Sequence, residues 1–400
     1  MNKKGFFAFI LFLFFSALVI GKSFIYSLEA VESISYNPAE HINLKRNPKI
    51  VKTFEDVKIE FIENGTDFIE ANLLEMKVML YKEGKIIKEA EIIAKGNPKT
   101  WGESAAGIHK ILSGNKASFS NIAKVFMPYA LHYFGKYYIH GEPYYPSREK
   151  LKSVYSGGCL RLKDKDAEEI YKMSELNMPV LVIDSKKEDF SFKREKIPMG
   201  DISADVFLVA DIGSGKILAE KNKNKSFSSY SFDRLMTAVI AVEVIDLERI
   251  LGGYTVLELL YPLFSGQAYP AEHFKSFLGE KRLPKLINDK SESLLIKNIK
   301  DSEDAFRLAK YITNTKPLIW KITKGDGVAG VSSNLKDFKS NNLFPDNSSF
   351  IGGESSSGEG IFVFGVKDKK IAIILSESEN LAEDVGTLLT WVSQSYFKML

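Results

Sequence analysis

A charge-free apolar run near the N-terminus sets the first limit on how this chain can fold. Residues 5–21 read GFFAFILFLFFSALVIG, and Lys3 and Lys4 precede them. As a helix, such a run measures about 26 Å, close to the thickness of a bilayer core. The preceding charges predict a cytoplasmic N-terminus and an exported body. We expect residues 1–24 to be an uncleaved membrane anchor, with a cleaved signal sequence as the alternative.

Composition excludes several classes of protein. The 400 residues are 45% hydrophobic, which is enough for two or three globular domains. The 54 basic and 51 acidic residues nearly balance, whereas dedicated nucleic-acid-binding domains are usually clearly basic. Cys159 is the single cysteine, so the chain holds no internal disulfide and no cysteine-based metal cluster. The five histidines lack metal-ligand spacing, and we expect neither a metal nor a cofactor.

The first half of the exported body reads as β-rich. Residues 25–69 mix charges with Asn-Pro pairs and are predicted to be a stalk. A domain is predicted over residues 70–185, in which a Glu83-Gly84-Lys85 turn separates two strand-like stretches and marks a hairpin. A helical pattern over 166–176 and an apolar strand at 180–183 end this domain.

The second half reads as mixed α and β. Residues 186–200 are charged and hold Pro198 and Gly200, which predicts a linker. The domain over 201–400 is predicted to begin with a hairpin at 206–218 and a helix over 232–251. It is predicted to end with two strands and a helix over 360–398.

The segment from Tyr138 to Leu162 carries the most chemical information. A thiolate is a strong nucleophile but needs a base or a positive field to form. His140 precedes Cys159, and Arg161 follows it. The Ser156-Gly157-Gly158 approach could aim backbone N–H groups at one point, as an oxyanion hole requires. A lone cysteine is nevertheless most often a small buried apolar residue, so this spacing alone indicates a cysteine acyltransferase only weakly.

This segment resembles the catalytic domain of bacterial L,D-transpeptidases. Their signature is His-Gly followed, after an interval, by Ser-His-Gly-Cys-hydrophobic-Arg. Here it reads His140-Gly141 and Ser156-Gly157-Gly158-Cys159-Leu160-Arg161, so Gly157 replaces the second histidine. The Met127-Pro128-Tyr129 segment also matches, and the resemblance covers roughly residues 70–185. Ala105-Ala106 replaces the family's Thr-Pro pair.

The resemblance implies a mechanism and a set of roles. His140 would take the thiol proton, and Cys159 would attack the carbonyl before the terminal D-alanine of a peptidoglycan stem tetrapeptide. Gly158 and Cys159 would supply oxyanion donors, and the Ser156 carbonyl would orient the histidine. The remaining assigned roles are loop support by Arg161, altered oxyanion geometry at Gly157 and substrate binding by Tyr129 and Gly141.

The second half resembles serine D-alanyl-D-alanine carboxypeptidases, which are low-molecular-weight penicillin-binding proteins. The likeness spans about 201–395 and includes VFLVADIGSGKILAEKNKN and the later FVFGVKDKKIAIIL. The family's Ser-x-x-Lys, Ser-x-Asn and Lys-Thr-Gly motifs are each damaged. The corresponding positions are Ser231, Arg234, Ser265, Gln267 and Glu354. Because a guanidinium stays protonated, Arg234 cannot act as a base, and we expect this serine site to be inactive.

Three functions remain open. The leading one is a cell-envelope cysteine transpeptidase with peptidoglycan stem peptides and the membrane as partners, and no nucleic acid. The others are an L,D-carboxypeptidase, in which water accepts the acyl group, and a non-catalytic wall-binding scaffold. A catalytic thiolate would alkylate below the ordinary thiol pKa, about 8.5, whereas an inert buried thiol would resist. The resemblances imply a β-rich sandwich followed by an α/β domain with an antiparallel sheet.

Overall fold

The computed structural model describes residues 51–186, 188–225, 230–296, 301–328 and 342–397. The predicted anchor and most of the predicted stalk therefore lie outside the described residues. Over the described ranges, no helix has both the length and the apolar character needed to cross a membrane.

The end of the predicted stalk is folded, which corrects the expectation for residues 51–69. Helix α1 (Phe54–Glu63) begins with a capping box, in which Thr53 and Asp56 bond each other's backbone N–H groups. Val51 is 3% exposed, and its N–H donates to the Gly215 carbonyl at 3.1 Å. A solvated stalk would leave a side chain such as that of Val51 exposed to water.

Two sheets form the first half. The strands are β1 (Phe68–Asn72), β2 (Lys77–Lys82), β3 (Lys85–Glu91), β4 (Gly107–Lys110), β5 (Ser113–Ser120), β6 (Val125–Phe134), β7 (Tyr137–His140), β8 (Leu160–Arg161) and β9 (Pro179–Ile183), with helix α2 (Asp164–Met173) before β9. One sheet has the order β3-β2-β1-β9-β4 and the other β5-β6-β7-β8. The predicted hairpin is confirmed as β2–β3, because Glu83 and Gly84 both adopt positive φ and reverse the chain tightly.

In its described residues, the second half contains a five-stranded antiparallel sheet with helices packed against it and a separate two-stranded pair. Its strands are β10 (Val206–Asp211), β11 (Ile217–Lys221), the short pair β12 (Ile250–Leu251) and β13 (Tyr254–Thr255), β14 (Phe350–Ser356), β15 (Glu359–Val366) and β16 (Lys369–Ser376). Its helices are α3 (Tyr230–Val244), α4 (Val256–Phe264), α5 (Tyr269–Leu278), α6 (Arg282–Ser293), α7 (Ser302–Thr315), α8 (Pro317–Lys324) and α9 (Leu381–Tyr396). The sheet order β11-β10-β16-β15-β14 confirms the predicted hairpin and the predicted strand-turn-strand-helix ending.

The two halves share one apolar core. A single cluster of buried side chains joins Leu131 and Tyr137 of the first half to Leu235 and Ile312 of the second. The helix predicted over 232–251 ends earlier, at Val244. Directly after it, the Ile245 carbonyl accepts from Lys136 Nζ in the turn between β6 and β7.

Candidate active site

Parallel pairing of β7 with β8 brings the histidine and the cysteine together. The register places His140 opposite Arg161, so Cys159 enters the pair directly before β8. His140 and Cys159 line the same cavity, which has a volume of about 330 Å³. Trp101, Ile122, Val125, Met127 and Leu151 supply apolar wall. Ser156, Gly157 and Arg161 also line this cavity.

His140 is held as a neutral base. Its Nδ1 lies 2.6 Å from the Gly141 carbonyl oxygen. A carbonyl can only accept, so this bond assigns the proton to Nδ1 and leaves Nε2 as an acceptor. Burial lowers the pKa of His140 to about 4, although the Gly141 carbonyl opposes that shift. The imidazole is therefore ready to accept a proton at neutral pH.

The orienting carbonyl differs from the expected one. The Gly141 carbonyl bonds the histidine, whereas the sequence predicted substrate binding for Gly141 and assigned the orienting role to the Ser156 carbonyl. A Cβ at Gly141 would lie 2.5 Å from Asp164 Oδ1, so the chain passes too close to helix α2 for another residue. That close approach is a signal that only the folded chain reveals.

Cys159 is a protonated, half-buried thiol in the resting structure. Its Sγ donates to the Lys136 carbonyl at 3.6 Å, and no hydrogen bond between described residues joins it to His140. Burial raises the pKa of the thiol to about 11, against the lowering effects of the Tyr138 backbone and of the Arg161 and Lys136 cations. The structure thus differs from the resting thiolate expected of a catalytic cysteine, and the proton must leave during attack.

The glycine-rich loop is braced by its own serine. Ser156 Oγ donates to the Cys159 carbonyl at 2.6 Å and accepts from the Gly158 N–H at 3.0 Å. The Gly158 N–H is therefore used inside the loop in this structure, and its role as an oxyanion donor stays a prediction. Arg161 Nη1 donates to the Ser153 carbonyl at 3.1 Å and to its hydroxyl at 2.8 Å. Arg161 thereby supports the loop.

Tyr129 lies elsewhere than predicted. Its ring centroid is 6.0 Å from that of Tyr171 on helix α2, and its hydroxyl bonds Glu168. The backbone there has φ of +49°, which is strained for a tyrosine. The side chain packs against the helix and is not part of the cavity wall, because α2 covers this side of β6.

The adjacent glycines Gly157 and Gly158 differ in how much space a side chain would have. A Cβ on Gly157 meets nothing within 4 Å, whereas one on Gly158 would lie 2.2 Å from a Tyr137 ring carbon at a φ of +115°. We expect Gly157→His to change the unfolding free energy by no more than about 0.5 kcal/mol. Gly158→Ala should cost at least about 2 kcal/mol. Urea denaturation of both variants measures the difference, and equal midpoints would contradict it.

An ion pair joins two of the positions at which we expected an inactive serine site. Ser231 is buried at the start of α3, and its N–H donates to Glu359 Oε1 at 3.0 Å. Arg234 Nε donates to Glu354 Oε1 at 2.5 Å, and its Nη2 donates to the Ser355 carbonyl at 2.8 Å. The structure therefore brings the positions of the first and third motifs together.

The second-motif positions have other surroundings. Ser265 Oγ donates to the Tyr261 carbonyl at 3.2 Å at the end of α4. Gln267 is exposed, and no hydrogen bond between described residues joins it to Ser231.

Sequence reasoning missed one wall of the cavity. Asp246, Leu247 and Glu248, which follow α3 in the second half, line it together with Cys159, and Lys136 lines it from the first half. No local pattern marks these residues, because the fold alone brings them to the cysteine.

Comparisons with known proteins support the resemblances. Residues 66–182 match the family model of the YkuD L,D-transpeptidase catalytic domain, which confirms that resemblance. No curated protein matches the sequence of this chain.

Solved structures of both kinds resemble parts of the fold. A D-alanyl-D-alanine carboxypeptidase from Mycobacterium tuberculosis H37Rv is 17% identical, with a TM-score of 0.44, over 52% of this chain and 99% of that one. Penicillin binding protein 6B from Escherichia coli is 14% identical, with a TM-score of 0.42, over 52% and 82%. An L,D-transpeptidase from Stackebrandtia nassauensis is 18% identical, with a TM-score of 0.26, over 33% and 67%. Because these TM-scores are below 0.5, the likenesses establish no function.

Proposed function

We propose that this protein is a peptidoglycan L,D-transpeptidase that uses Cys159 as its nucleophile. The observation that carries the proposal is a neutral His140 on β7 and a thiol directly before the adjacent β8, in one cavity and within a matched L,D-transpeptidase domain. The substrate is a stem tetrapeptide in the cell envelope. The N-terminal segment would anchor the protein with its cavity outside the cytoplasmic membrane.

The first half-reaction forms a thioester. The Cys159 side chain turns from the Lys136 carbonyl toward His140, whose Nε2 takes the thiol proton as Sγ attacks the carbonyl before D-alanine. The Cys159 N–H, which makes no hydrogen bond among the described residues, is the oxyanion donor. His140 then returns the proton to the leaving amine, and D-alanine departs.

The second half-reaction sets the product. An amine of a neighbouring stem attacks the thioester, loses its proton to His140 and releases the thiol, which yields a crosslink. Water in place of the amine would yield a shortened stem, as in an L,D-carboxypeptidase. Asp246 and Glu248 of the second half line the cavity with Cys159, on the side from which an acceptor is proposed to approach.

Product analysis tests the proposal. The full chain in detergent is incubated with purified disaccharide tetrapeptide, and products are followed by mass spectrometry. A dimer formed with loss of D-alanine supports transpeptidation, whereas shortened monomer alone supports carboxypeptidation. Because Cys159 is the only cysteine, protein treated with iodoacetamide is a specific control. Absence of both products from untreated protein would refute the proposal in favour of a scaffold.

The serine site is proposed to be inactive, and this predicts its response to β-lactams. Ser231 is 1% exposed, and Arg234, bonded to Glu354, stands where the family has a basic lysine. We expect no stable fluorescent penicillin ester at Ser231 after electrophoresis. The measurement uses the Cys159→Ala variant, so that acylation of the thiol does not contribute. A label that disappears in a Cys159→Ala, Ser231→Ala double variant would contradict the prediction.

A further inference from the structure

The turn between β6 and β7 is docked on the C-terminal end of helix α3. The Lys136 N–H donates to the Glu243 carbonyl at 3.3 Å, and Lys136 Nζ donates to the Ile245 carbonyl at 3.3 Å. Cations favour helix C-termini because the last carbonyls carry partial negative charge. A Cβ on Gly135, where φ is +49°, would lie 2.6 Å from the Glu243 carbonyl oxygen. The turn thus touches this helix end closely through both residues.

The docked turn also holds the thiol. The Lys136 carbonyl accepts from Cys159 Sγ at 3.6 Å. One residue therefore contacts the second half through its N–H and its amine, and the thiol through its carbonyl. If the turn moves away from α3, the Lys136 carbonyl that accepts from Cys159 Sγ moves with it.

A second link runs through Tyr137. Lys316 of the second half donates from Nζ to the Tyr137 hydroxyl at 3.3 Å and to the Glu103 carbonyl at 2.6 Å. The Tyr137 ring lies directly against Gly158, where even a methyl group would not fit. The loop that carries Cys159 therefore packs against Tyr137, whose hydroxyl is bonded by Lys316 of the second half.

We infer that the serine-peptidase-like half positions Cys159 for the reaction. Gly135 and Lys136 are the positioning residues, because they connect helix α3 to the thiol. This inference rests on the proposed function, since it assigns a role in that same reaction. Helix α3 resembles, at its N-terminal end, the serine-bearing helix of the carboxypeptidases. In this protein its opposite end bonds the turn between β6 and β7.

Two variants disturb the dock by different chemistry. Lys136→Met removes the bond to the Ile245 carbonyl, and Gly135→Ala places a methyl group against the Glu243 carbonyl. Lys223→Met is the matched control, because Lys223 is a buried lysine of the second half that pairs with Glu220 and Glu303. We expect both dock variants to lower kcat for D-alanine release by about 10-fold or more with KM little changed. Lys223→Met should keep the wild-type kcat.

Alkylation of Cys159 provides a readout that does not depend on the substrate. Iodoacetamide at pH 8 should modify the thiol at least about threefold faster in both dock variants, because an undocked loop exposes the thiol to solvent. Circular dichroism confirms that each variant is folded.

The outcomes separate the two proposals. Wild-type alkylation rates in both folded dock variants would overturn the positioning inference, whatever the substrate. Loss of turnover in Lys136→Met but not in Gly135→Ala would also overturn it, because the lysine amine would then act within the cavity itself. Wild-type protein without activity on the tetrapeptide would refute the proposed function, while the alkylation rates still decide the positioning role.

Discussion

Replacing Cys159 with alanine is expected to abolish D-alanine release, and replacing His140 with alanine to lower it by about 10²- to 10⁴-fold. The first change removes the atom that bonds the acyl group. The second leaves a thiol whose pKa burial raises to about 11, so that little thiolate forms near neutral pH without the imidazole. Single-turnover release of D-alanine, followed by mass spectrometry, measures both effects.

The pH dependence follows from the state of His140. Only the neutral imidazole accepts a proton, and burial lowers its pKa to about 4. The acidic limb of kcat/KM should therefore fall as pH drops through about 4, below the ordinary histidine value of about 6.5.

For the His140→Ala variant, His273→Ala on helix α5 is the matched control and should retain wild-type rates. Full activity of Cys159→Ala would refute the assignment of the nucleophile.

Local signals predicted the elements that depend on local physics. The Glu83-Gly84 turn identified the β2–β3 hairpin, since glycine readily adopts the positive φ that Gly84 has in this reversal. The alternating strands and the last helix of the chain were predicted to within a few residues. The domain resemblance identified His140 and Cys159, which adjacent strands then bring to one cavity.

Contacts between residues far apart in the chain could not be predicted from the sequence. The Gly158 N–H donates to the Ser156 hydroxyl, a bond inside the loop that the spacing of the motif does not predict. Tyr129 packs on α2, because its direction depends on the strained backbone at that position. Gly135-Lys136 reads as an ordinary turn, and its role depends on a helix end more than 100 residues later in the chain.

Glu243→Gln is expected to lower the free energy of unfolding by about 3–5 kcal/mol. The Glu243 carboxylate is fully buried, lies 2.9 Å from Lys290 Nζ and 3.7 Å from Lys316 Nζ, and accepts from the Tyr311 hydroxyl. Both lysines are also buried, so an amide leaves two cations without their shared counter-charge. Urea denaturation measures the loss, with Glu60→Gln in the exposed Lys52 pair as the control.

The loss should depend on pH with a defined sign. Burial alone would raise the pKa of Glu243, but Lys290 and Lys316 outweigh it and hold that pKa below its ordinary value. The carboxylate's contribution is then complete above the unfolded value, about 4.3, and is lost as pH falls through the folded pKa. Wild type and Glu243→Gln should converge in stability on acidification. A constant gap between pH 7 and acid would show that the lysines do not depend on this charge.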